Sequence, residues 1–183
     1  MGPGVWRAAS AVAAGGRRAH AQQVRGGLRA ADRGVVLSTV EFEALVDMQH
    51  PPETVFRYLA DPRNRPEWQA SLLSVTLHDR AEPYVGMTWR DNTLAGVRPA
   101  MEITELTPFK VFSEVGRWRG IDATLSLRFT GVATGCRVHA IGSLSGSGPW
   151  QLPARAAGRL AGPAIRRDLV RAGVILTRGR LSR

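Results

Sequence analysis

Lysine is almost missing from this chain: of its 25 basic residues, Lys110 alone is not arginine. That imbalance reads first as the bias of a GC-rich coding sequence, and only second as selection for phosphate contacts. Cysteine is nearly absent too. Cys136 has no partner for an internal disulfide, which fits a reducing compartment. No apolar run approaches the ~18–20 residues of a membrane span, so stable membrane insertion is not expected. The longest candidate for a secretory core, residues 8–16, is short, rich in Ala and Gly, and followed rather than preceded by Arg17-Arg18. That order is wrong for a signal peptide, and a cytoplasmic, bacterial protein is the expectation. HExxH, CxxC, GxxxxGK and GxSxG are all missing. Metal, thiol-redox, nucleotide and hydrolase chemistries lose their usual support, and no metal or cofactor is expected.

The net charge of +10 is carried by the two ends. Residues 1–36 hold six Arg against one Asp, and residues 155–183 hold eight Arg against one Asp, whereas residues 37–154 carry a net of −2. The body therefore lacks the basic face interleaved with aromatics that nucleic-acid sites use, and nucleic acid is not an expected partner. Residues 1–36 are Ala, Gly and Arg with no periodicity, too few large apolar groups to offset their ordering entropy. An organellar-type leader, a flexible binding arm, or translation from upstream of a true start near Val35 or Val36 would each account for them. The last requires least and is the expectation, with the segment disordered and dispensable.

What is present centres on residues 50–68, HPPETVFRYLADPRNRPEW. Upstream, Val40, Phe42, Ala44, Val46 and Met48 alternate with polar residues, the period of a strand with one buried face. Pro51-Pro52 ends it and suits the first turn of a helix, where a missing N–H goes unmissed. Val55, Phe56 and Leu59 give residues 53–60 one apolar face. Asp61-Pro62 breaks that helix, and the carboxylate can cap a second short turn ending at Trp68. Six more runs read as strands after it: residues 71–79 (Leu73, Val75 and Leu77 inward), 87–91, 97–106, 109–117, 124–130 and 136–144. Short connections predict an antiparallel sheet in an α+β protein. Residues 142–149 (GSLSGSGP) read as a flexible joint. Beyond it Leu152, Ala156, Leu160, Ile165, Leu169, Ala172 and Leu176 read as one apolar stripe, with a kink or break at Pro163.

This succession, with VGMTWRD, ITELTPFKVFSEV and FTGVATGCRVH along the strands, resembles the SRPBCC superfamily. That superfamily includes START domains, pollen-allergen-like proteins and the polyketide cyclase/dehydrase group, the last being most similar. The resemblance implies a helix-grip fold over residues 37–178: a seven-stranded antiparallel sheet wrapped around a long C-terminal helix, two short helices after the first strand, and a basic tail at 179–183. It implies an apolar cavity between sheet and helix, lined by position with Trp68, Trp89, Met101, Phe112, Leu127, Ile165 and Leu169. Core packing is the competing reading for each. A hydrophobic small molecule, such as a lipid or polyketide, is the expected partner. The same cavity in a polyketide aromatase/cyclase or dehydrase acts on a poly-β-keto chain. A structural, partner-binding domain with a filled core is the third reading.

Asp91 shares inward parity with Met87 and Trp89, and Glu114 shares it with Phe112. They are the candidate catalytic carboxylates, because a buried unpaired charge costs several kcal/mol and is seldom accidental. A salt bridge to Arg90, Arg117 or Arg128 is the plainer account. His50 and His78 stand at strand ends, His139 falls on the outward parity, and Cys136 on the inward parity reads as a small core hydrophobe.

Overall fold

The computed structural model describes residues 38–79 and 81–181; the expectations for residues 1–36 lie outside them. The chain enters through β1 (Ser38–Met48), α1 (Pro52–Leu59), a 3₁₀ turn (Pro62–Asn64) and α2 (Arg65–Trp68). Six strands follow: β2 (Leu72–Leu77), β3 (Thr88–Thr93), β4 (Ala100–Thr107), β5 (Val111–Trp118), β6 (Ile121–Val132) and β7 (Gly135–Gly146). A second 3₁₀ turn (Gly148–Trp150) leads into α3 (Gln151–Leu181). The order β1-β7-β6-β5-β4-β3-β2 is a meander whose last strand pairs with the first, antiparallel throughout. The seven strands and the helices are those expected, and α3 runs three residues into the stretch read as a tail.

The corner after β1 forms for local reasons. Pro52 occupies the first turn of α1, and Val55, Phe56 and Leu59 are buried on one face. The Asp61 carboxylate accepts the Arg63 backbone N–H at 2.9 Å and the Arg63 side chain at 2.8 Å. Phe56 meets Phe109 and Phe129 edge-on at 5.6 and 5.3 Å, pinning α1 across the sheet.

Four sequence expectations are corrected. The stretch 142–149 is no joint: β7 runs through Gly146, paired with β1 on one side and β6 on the other. A Cβ at Gly146 would collide with the Trp150 carbonyl and Ala154, so glycine there allows close packing rather than motion. The corner is held further by Trp118 and Trp150, edge-on at 5.0 Å, with the Arg119 guanidinium over both rings.

The single apolar stripe of α3 is two stripes on opposite faces. Leu160 to Ile165 is a step of five residues, which turns the helix by about 140° out of phase. Leu152 and Leu160 are 77% and 70% exposed, while Ile165, Leu169 and Ala172 are buried. The inward face of the first half is instead Ala154, Gly158 and Gly162. A Cβ on Gly158 would sit 2.7 Å from the Val40 Cβ, so only glycine lets α3 lie this close to β1. The helix also runs unbroken through Pro163. The carbonyl deprived of its partner belongs to Arg159, on the exposed side, where water can donate to it.

On β2, a bulge between Leu72 and Ser74 reverses the phase, so Leu72 is buried and Leu73 faces solvent.

Candidate functional site

Arg65 opens α2 just past the Asp61 cap, and the corner aims its side chain onto the sheet. Alternation on β3 turns Trp89 and Asp91 to the same face, and alternation on β5 presents Phe112 and Glu114 there. Arg65 Nη1 donates to Glu114 Oε2 at 2.5 Å and Nη2 to Asp91 Oδ2 at 3.0 Å. Trp89 Nε1 donates to the other Asp91 oxygen at 2.9 Å, and the guanidinium carbon lies 5.4 Å from the Trp89 ring centre. All three charged side chains are 5% exposed or less.

One cation therefore faces two carboxylates away from water. Burial opposes the Arg65 charge, but Glu114 and Asp91 outweigh it and hold the guanidinium firmly protonated. Burial raises the Glu114 carboxyl above its ordinary range, with Arg65 pulling it down and Asp91 pushing it up. Arg65 Nε and Trp68 Nε1 are buried donors without an acceptor among the described residues. On α3, burial raises Asp168, against the Ala70 N–H that it accepts at 3.1 Å and the nearby charges of Arg171 and Arg65.

A second feature lies where α1 faces the C-terminal part of α3. His50, Pro51, Thr54, Tyr58, Ile175, Leu176 and Gly179 line an open groove of about 540 Å³, within the range of small-molecule sites. Its wall is mainly apolar. Tyr58 donates to Glu67 at 2.8 Å, and burial, then Glu67, makes its hydroxyl harder to ionise. The His50 Nε2 and Thr177 hydroxyl lie 3.2 Å apart at the same end. Tyr58, Ile175 and Leu176 also pack against the central core.

The structure brings Asp91 and Glu114 together, but through Arg65 rather than Arg90, Arg117 or Arg128, which are exposed. A cation on their own strands must share their parity to reach them, whereas α2 lies over the inward face. Trp68, Trp89, Met101, Phe112, Leu127, Ile165 and Leu169 all belong to one buried cluster, and none lines the groove. His78 is exposed and His139 points outward to Glu43 at 3.4 Å. Cys136 is buried, its thiol pushed by burial up to about 11, the environment of an inert core residue. Sequence reasoning passed over Arg65, Tyr58 and Ile175. The two inward carboxylates were the signal for Arg65; the groove left none, because its walls come from segments over a hundred residues apart.

An antiparallel sheet whose last strand pairs with its first, with two short helices after β1 and a long terminal helix laid on β1 and β7, is a helix-grip domain. The chain belongs to the family described as "Polyketide cyclase / dehydrase and lipid transport", which matches residues 39–173. Among solved structures it is similar to protein MLL2253 from Mesorhizobium loti, at 22% identity over 77% of this chain and 98% of that one, TM-score 0.59. It is similar to the di-domain ARO/CYC StfQ from the steffimycin biosynthetic pathway, at 15% identity over 78% of this chain and 52% of that one, TM-score 0.63. It is also similar to Ara h 8.0201, at 10% identity over 76% and 99%, TM-score 0.57. At these identities the likenesses bear on the fold alone. No curated protein matches the chain. Among the described residues no helix is long and apolar enough to cross a membrane, and no cluster of His, Cys, Asp or Glu could hold a metal ion.

Proposed function

We propose that this domain binds a hydrophobic small molecule, a lipid, a polyketide or a compound of similar character, at the end of the helix grip where α1 faces α3. The observation that carries the reading is the groove of about 540 Å³ between Pro51, Tyr58, Ile175 and Leu176. Its apolar wall supplies affinity, while His50, Thr54 and Tyr58 offer polar atoms at its rim to orient a ligand. Trp68, Trp89, Met101, Phe112, Leu127, Ile165 and Leu169 serve this reading as the packed core, reached by ligand only if α3 parts from the sheet. Buried Cys136, with no disulfide partner, supports a cytoplasmic setting.

A catalytic use, as a polyketide cyclase or dehydrase, is the second reading; it would draw on the buried charged triad, which lies outside the groove and meets substrate only if α3 parts from the sheet. Glu114 with a raised pKa is suited to hold and give up a proton, and the Arg65 and Trp68 N–H groups are suited to a developing oxyanion.

Uptake of an apolar fluorescent probe tests the site. Leu176→Trp should fill the groove and abolish uptake while the fold survives. Leu169→Trp, on the buried face of α3, should leave uptake intact at some cost in stability. The reverse pattern would place the ligand between sheet and helix, and undiminished uptake in both would remove the groove from consideration.

A further inference from the structure

The outward face of α3 is built unlike that of a solvated helix. Leu152, Leu160, Val170 and Val174 are 77%, 70%, 43% and 45% exposed. At 3.6 residues per turn they fall within about an 80° arc, directly opposite the buried face of Gly158, Ile165 and Leu169. Ala156 and Pro163, both exposed, lie in the same arc. The arc spans roughly 33 Å from Leu152 to Val174. Exposed Arg155, Arg159 and Arg166 border it on one side, exposed Arg171 borders it on the other, and Arg167 interrupts it. The helix carries one acid, Asp168, which is turned to the body and accepts the Ala70 N–H.

We propose that this face docks the domain on an anionic lipid bilayer, with the leucines and valines entering the acyl boundary and the arginines at headgroup level. The proposal goes beyond ligand binding and stands whether or not the groove is filled. Charge and shape choose the occupant. A second copy of the chain would set arginine flank against arginine flank, a repulsive arrangement. A protein partner would need carboxylates placed opposite Arg155, Arg159 and Arg166 on one flank and opposite Arg171 on the other. A bilayer surface needs no register, neutralises both flanks at once, and tolerates Arg167 because an arginine stem reaches along apolar surface while its head stays wet. The aliphatic side chains are shallow and widely spaced, which suits lying in an interface rather than gripping a pocket.

Flotation of the full chain with vesicles tests it. The protein should float with phosphatidylcholine vesicles containing phosphatidylglycerol, not with phosphatidylcholine alone, and salt should release it. Leu152→Ser with Leu160→Ser should weaken partitioning at least about tenfold, and Arg155→Gln with Arg159→Gln by a comparable factor. Both pairs should keep the wild-type Tm and probe uptake, since these side chains point away from the core. The basic residues 1–36 are the same in every variant, so wild-type binding by both pairs would assign the attraction to that segment and overturn the proposal. Failure of the wild type to float at low salt would overturn it as well. A dimer in light scattering that Leu152→Ser with Leu160→Ser abolishes would give the face to a second copy instead.

Discussion

Arg65 on α2 and Glu114 on β5 are 49 positions apart and joined at 2.5 Å in the dry interior, with Asp91 on the other terminal guanidinium nitrogen. This contact ties the short helices to the middle of the sheet. A buried ion pair adds little over a well-packed apolar replacement, yet removing one partner strands a charge.

Arg65→Met should therefore cost about 3–5 kcal/mol in urea unfolding. Adding Glu114→Gln to it should recover part of the loss, because one stranded carboxylate is gone. A single-variant cost under about 1 kcal/mol would show that water already reaches the triad.

Acidity offers a second check. The folded-state pKa of Glu114 lies above its ordinary 4.5, so the native protein holds this proton more tightly than the unfolded chain. Its contribution to stability is fully present below the unfolded pKa and is lost as pH rises through the folded one. The stability of wild type relative to Glu114→Gln should decline with rising pH across that window. A difference that grows with pH would mean that the ionised carboxylate is the favoured form.

Trp68 is 1% exposed at the end of α2. Trp68→Ala should cost about 3–5 kcal/mol by chemical denaturation, the range for truncating a buried Trp. A cost under about 0.5 kcal/mol would mean that the α2 corner is not held by this ring.

The packing of α3 on β1 predicts a change of sign between two helix glycines. Alanine is the better helix former by about 1 kcal/mol, and at Gly179 a Cβ would meet nothing within 4 Å. Gly179→Ala should be neutral or stabilising. At Gly158 the new Cβ would strike Val40, and overpacking of about 1–3 kcal/mol should outweigh the propensity. A raised Tm for Gly158→Ala would show that the helix stands off the strand.

The fold was legible where local rules act alone. Alternation along β1, Pro51-Pro52, and the Asp61 cap each decide a short stretch through backbone sterics and hydrogen bonding, and the elements stand where those residues place them. The inward parity of Asp91 and Glu114 was equally visible, because a strand has two faces. Which cation meets them was not, since that depends on the angle at which α2 crosses the sheet. The same limit explains α3. Spacing shows that Leu152, Leu160, Ile165 and Leu169 are apolar and helical, but a chain with glycines at 158 and 162 can bury its small face against a close strand and leave Leu152 and Leu160 outside. Only the separation of helix and strand decides between those faces, and that separation is set by Val40 and Phe42, more than a hundred residues earlier. The groove is decided in the same way: Pro51 and Tyr58 on one side and Ile175 and Leu176 on the other face each other only once the last helix has been laid across the first strand.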